Sequence, residues 1–72
     1  MTDYHINIFF SPEDGGYIAD IPDLGHCSAF GVSPEEALME VQIAKAAWLG
    51  VAQEKGLPIP LPKYRPAIYQ VA

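Results

Sequence analysis

The chain has one cysteine, Cys27, and only two histidines and four basic residues in 72 positions. A single cysteine excludes an internal disulfide, and with two histidines it falls short of a closed structural zinc site within one chain. Also missing is any uninterrupted apolar run near the ~20 residues that span a bilayer. The opening MTDYHIN lacks a basic region followed by an apolar signal core. These absences lead us to expect a cytoplasmic protein with no membrane partner. No internal repeat, low-complexity tract or second composition block interrupts the sequence, so residues 1–72 read as one domain. A domain this small buries only about 60% of its unfolded surface, and without disulfide or metal the remaining device is self-association. A homo-oligomer is therefore expected.

Nine acidic residues against four basic ones give a net charge of −5. That balance opposes binding to phosphate backbones, which needs clustered Lys and Arg, so direct nucleic-acid contact is not expected. A basic protein partner suits such a surface, although a modest acidic excess also serves solubility alone.

The strongest local signal runs from Ser33 to Lys55. Ser33 can accept from the free N–H groups of a first turn, Pro34 fits the first helical position, and Glu36 lies three residues on, as a capping box requires. Glu35 and Glu36 put negative charge at the positive end of the helix dipole, Lys55 lies at the other end, and Gly56 and Pro58 mark the stop. The pattern predicts a helix over 34–55, roughly 33 Å long. Ala37, Leu38, Val41, Ala44, Trp48, Leu49, Val51 and Ala52 fall on one broad face and are the expected core, anchored by Trp48. The opposite side carries a second stripe of Met39, Ile43, Ala46, Ala47 and Gly50. Small enough to admit another backbone, it is expected to be partly buried by another subunit or by the segment after the helix. Gly50 alone costs the helix about 1 kcal/mol relative to Ala.

Upstream, the sequence reads as strands. Tyr4, Ile6, Ile8 and Phe10 alternate with His5, Asn7 and Phe9, which predicts a strand over 4–11. Pro12 to Gly16 form a hairpin loop in which the paired glycines are expected to supply positive φ angles. A second strand covers 17–21, and Pro22-Asp23-Leu24-Gly25 ends it, with Gly25 permitting the reversal. A third covers 27–32. After the helix, prolines at 58, 60, 62 and 66 predict an extended strap over 57–66. Leu57, Ile59 and Leu61 alternate with them and can pack down, which accounts for the segment better than a PxxP ligand does. Residues 67–71, AIYQV, read as a last strand returning beside the first.

The expected fold is α+β, a single two-layer βββαβ domain with one long helix on one face of a three- to four-stranded sheet. One helix covers one face, so the other, expected to carry some of Phe9, Tyr17, Phe30 and Tyr69, is left open for a second chain. Interface candidates are therefore Phe9, Tyr17, Asp20 and Phe30 on the sheet, with Met39, Ile43 and Gly50 on the helix.

Chemistry is harder to find. His26 and Cys27 are neighbours on a strand and point to opposite faces, which is poor geometry for proton transfer. Cys27 reads as a small buried filler, and His5 and His26 as surface or rim residues. Asp14, Asp20 and Asp23 are the carboxylates expected to converge, as a two-metal nuclease would need, yet turn chemistry already explains Asp14 and Asp23. Gly15-Gly16 opens a strand rather than a helix, so no phosphate cradle forms. No catalytic residue, metal, cofactor or small-molecule substrate is expected.

Taken in order, YHINIFFS, EDGGYIADIPDLGHC, FGVSPEEAL and PIPLP resemble the HicB-like antitoxins over most of residues 3–62. Gly15-Gly16-Tyr17, Pro22-Asp23-Leu24, Cys27, Gly31 and Glu35-Glu36-Ala37 match the family's pattern. Gly25-His26 replaces the usual Pro-Gly, and Val32-Ser33-Pro34 the usual Asp-Thr opening, which bears on the turn at 25–26 rather than on the fold. The resemblance implies a partial ribonuclease-H-like domain that binds and blocks a small basic HicA-type mRNA-cleaving toxin, the chemistry belonging to the toxin. Many members add a C-terminal DNA-binding domain; no such domain is expected in this sequence. Two other readings stand beside it: a solitary HicB-like oligomeric scaffold without a toxin, and a residual metal-dependent nuclease using Asp14, Asp20 and Asp23.

Overall fold

In a computed structural model that describes residues 3–66, three strands precede one long helix: β1 (Asn7–Ser11), β2 (Gly16–Asp20), β3 (Ser28–Gly31) and α1 (Pro34–Lys55). The strands form an antiparallel sheet in the order β1-β2-β3, which gives an α+β fold with α1 on one side. The expected last strand over 67–71, and Tyr69 with it, lies outside the described residues.

α1 begins and ends as its sequence dictates. Ser33 takes an extended backbone with φ −139°, and its hydroxyl accepts from the Glu36 N–H at 3.1 Å. Glu36 reaches back to accept from the Val32 N–H at 2.7 Å, one residue earlier than a capping box reaches. At the far end Gly56 adopts φ 67°, a left-handed conformation that costs glycine little. The Leu57 N–H then donates to the Ala52 carbonyl and the Gly56 N–H to that of Gln53, closing a Schellman motif.

Register follows from pairing Asn7 with Asp20 and Ser11 with Gly16, then Asp20 with Ser28 and Tyr17 with Gly31. Because side chains alternate, Ile8, Phe10, Tyr17, Ala19, Ala29 and Gly31 share the side that faces α1. The core is Ala19, Ile21, Leu24, Cys27, Ala37 and Val41, with Tyr4, Ile6, Ala44 and Trp48 packed against it. Helix and sheet approach closely: a Cβ on Gly31 would run into the backbone of Glu36 and Ala37. Trp48 anchors its face as expected, its indole N–H donating to the Gly25 carbonyl at 3.0 Å.

Several local expectations change. Leu38 and Val51 are exposed rather than core, because α1 is apolar on several sides and packs chiefly on β3 and β2, barely touching β1. Positive φ falls on Gly15 alone of the glycine pair, since Gly16 already belongs to β2. In the next turn it falls on His26, at φ 60°, rather than on Gly25. The strap over 57–66 is extended, and it is tied down at two places. The Tyr4 hydroxyl donates to the Pro60 carbonyl at 2.6 Å, and the N–H groups of Lys63 and Tyr64 donate to the Asp23 carboxylate.

Candidate interaction surface

The side of the sheet away from α1 has no covering layer among the described residues. Phe9 pairs across to Ile18, and Ile18 to Phe30, so three apolar side chains form one row over all three strands. Neighbouring strands lie about 4.8 Å apart, which makes the row roughly 10 Å wide. Phe9 and Phe30 are exposed and Ile18 half-buried between them. The Phe30 ring rests over Gly16, where a Cβ would collide with it, so glycine there lets the ring lie flat against the sheet. Beside this apolar row runs a polar one of Asn7, Asp20 and Ser28. Asp20 is thus a carboxylate at the border of an apolar patch.

β1 adds exposure on both sides. Ile8, Phe9 and Phe10 are 38%, 51% and 54% exposed, although they are consecutive. On the α1 side Phe10 stacks edge-on against Tyr17, with ring centroids 5.3 Å apart. Tyr17 therefore does not lie on the open face as expected; its parity puts it with Ala19, half-buried on the helix side.

The proposed interface residues thus divide between two surfaces. Phe9, Asp20 and Phe30 share the open sheet face, whereas Met39, Ile43 and Gly50 point outward from α1. Met39 and Ile43 are 59% and 60% exposed and Gly50 is open, so the strap does not bury that stripe. It runs instead from the Tyr4 hydroxyl, at Pro60, to the turn at Asp23, at Lys63 and Tyr64.

The expected convergence of Asp14, Asp20 and Asp23 does not occur. Asp14 sits in the β1–β2 turn, where it accepts from the Ser11 hydroxyl at 2.8 Å. Asp20 and Asp23 lie at the other end of β2, roughly 13 Å along the strand, and Asp23 is engaged by the strap. Among the described residues no group of three His, Cys, Asp or Glu side chains is placed to hold a metal ion. Nor is any helix among them long and apolar enough to cross a membrane.

Cys27 is buried in the core, and burial pushes its thiol above the ordinary range, reinforced by the charge of Asp20 and opposed by that of Lys45. A raised thiol has little thiolate at neutral pH and is a poor nucleophile. His5 hydrogen-bonds Asn7 through Nε2 at 2.6 Å and packs on the Tyr64 ring at 4.8 Å. With Asp3, Tyr4 and Arg65 it lines a cleft of about 260 Å³ where the strap meets the segment before β1. Lys45 bridges to Asp3 at 3.1 Å across the same end of the fold.

Two features escaped the sequence reading. Ile18 occupies the middle of the apolar row, and the parity of Phe9 and Phe30 through the antiparallel register would have found it. Asp23 as the anchor of a strap 40 residues away has no local signal at all.

No family model matches the chain, and no solved structure matches it. It is similar to UPF0150 protein ssl0259 from Synechocystis sp., at 38% identity over 53 residues. The alignment takes in 74% of this chain and 73% of that relative. At this identity over most of both chains, the chain belongs to the UPF0150 family.

Proposed function

We propose that this chain is a HicB-like, antitoxin-type binding module of the cytoplasm that neutralises a small basic HicA-type mRNA-cleaving toxin by direct contact. The observation that carries the reading is the open sheet face, on which the Phe9–Ile18–Phe30 row is bordered by Asp20 in a chain of net charge −5. An apolar centre with an acidic border suits a basic protein, because the aromatic side chains supply affinity and the charge steers encounter. The order of three antiparallel strands followed by a helix supports a partial ribonuclease-H-like form. The role is blocking rather than catalysis, with the chemistry left to the toxin.

Co-purification with a short basic protein encoded beside the gene tests this reading. Phe30→Ala should weaken that complex about 30-fold, as expected for an aromatic anchor at an interface centre. No such neighbour and no binding to any HicA-type toxin, or an unchanged affinity in Phe30→Ala, would remove it. A second reading, a solitary HicB-like oligomer without a toxin, draws support from a separate observation, the uncharged and exposed β1.

A further inference from the structure

We infer that Gly16 is a positioning residue for the open sheet face: it leaves the space in which the Phe30 ring is seated, so that the ring meets a partner as a fixed platform. The backbone does not ask for glycine here. Positive φ in the β1–β2 turn belongs to Gly15, and glycine in a strand otherwise weakens it. Gly16 is nevertheless buried, although its parity with Ile18 puts it on the side of the sheet away from α1. A Cβ at this position would lie 2.5 and 2.6 Å from Cζ and Cε1 of Phe30. The cover over Gly16 is thus the Phe30 ring itself, leaning from β3 onto β2, a pairing by which an aromatic side chain shields a strand glycine.

That seat decides what a partner finds. Phe30 remains 43% exposed, so the ring is lodged on its Gly16 side and open on the other. A side chain already held in one rotamer gives up less freedom on binding, and an aromatic one has only two χ angles to fix. With alanine at 16 the ring must swing away from β2, and the Phe9–Ile18–Phe30 row loses one end. The role rests on the reading of this face as the partner's contact, whereas the seat itself can be tested with no partner present.

Proton NMR of the full chain tests the seat. The Gly16 α-protons beneath the ring should be shifted upfield and show nuclear Overhauser contacts to the Phe30 ring, and Phe30→Leu should return them to ordinary positions. Unshifted protons without such contacts overturn the proposal. Binding to the short basic protein encoded beside the gene tests the role. Gly16→Ala should weaken that complex roughly 5–10-fold, against about 30-fold for Phe30→Ala. Because both act through one ring, the double variant should bind no worse than Phe30→Ala alone. Its urea midpoint should still fall, since the Gly31 carbonyl oxygen, 2.7 Å from the added Cβ, obstructs it in either background. Losses that multiply in the double variant, or full affinity in Gly16→Ala, overturn the proposal and leave Gly16 with a structural role only. Should Gly16→Ala not fold, Phe30→Leu takes its place: apolar but without a ring, it should bind nearly as weakly as Phe30→Ala, and affinity close to wild type overturns the proposal. A seated ring with no binding by the wild type supports the seat and removes the toxin reading.

Discussion

Among the described residues β3 and β1 both lie at an edge of the sheet, yet they are built for different neighbours. β3 is Ser28-Ala29-Phe30-Gly31, short and small on the side where α1 rests so closely that Gly31 has no room for a side chain. β1 is Asn7-Ile8-Phe9-Phe10-Ser11, large and apolar on both sides, with hardly any of α1 above it. α1 packs tightly at the β3 edge and leaves β1 with little helical cover. The side chains follow from that offset: where the cover comes from the same chain they shrink to fit it, and where it does not they stay large.

The sharpest way to break the comparison is to make equal cuts on the two sides. Ile21→Ala, beneath α1, should cost about 2–5 kcal/mol, read from the urea midpoint. Phe9→Ser, at concentrations where the chain is single, should cost about 0.5 kcal/mol or less. Similar losses would mean that β1 is covered after all. Next in size is Gly31→Ala, which forces α1 off the strand and should cost about 1–3 kcal/mol in the same titration. A smaller loss would show that the helix start can shift without strain. Asp23→Ala follows at about 0.5–1.5 kcal/mol, since it removes the acceptor of the Lys63 and Tyr64 N–H groups. Its clearer signature is faster hydrogen exchange at those two amides, with the β1 and β3 amides unchanged.

The smallest effect concerns acid. The Tyr4 N–H, and after it Lys45, hold the Asp3 carboxyl below its ordinary value of 3.8. A carboxyl whose value is depressed in the folded state stabilises the fold above 3.8, and that contribution is lost as pH falls through the lowered value. Asp3→Asn should therefore flatten the acidic part of a stability–pH curve by slightly lowering the plateau above 3.8, with stability at the most acidic end unchanged. Asp3 is exposed, so the change is slight.

The parts of the fold legible in the sequence are those fixed by neighbours in sequence. Ser33, Pro34, Glu36 and Gly56 specify the ends of α1 because capping is a matter of a few adjacent residues. Period-two alternation put Phe9 and Phe30 on the open face for the same reason. Where several faces were equally apolar, as on α1, periodicity could not select between Leu38 and Ala44, and the strand beneath decided. Tyr17 was misplaced because an aromatic residue fits either side of a half-covered sheet. The turn at 25–26 shows another limit: glycine is the residue most tolerant of positive φ, but His26 carries it. The carboxylates misled because adjacency in sequence within a hairpin says nothing of distance once β2 stands between Asp14 and Asp20.

The strap has a consequence for the unfolded chain as well. Among the bonds that hold the ten residues from Leu57 to Pro66 are those of the Leu57 N–H, the Pro60 carbonyl and the Asp23 carboxylate. Four of the ten are proline, so much of their freedom is already gone before folding begins, and ordering them costs correspondingly less. Replacing Pro58 and Pro62 by alanine removes none of these hydrogen bonds, yet should loosen the strap by restoring that lost freedom.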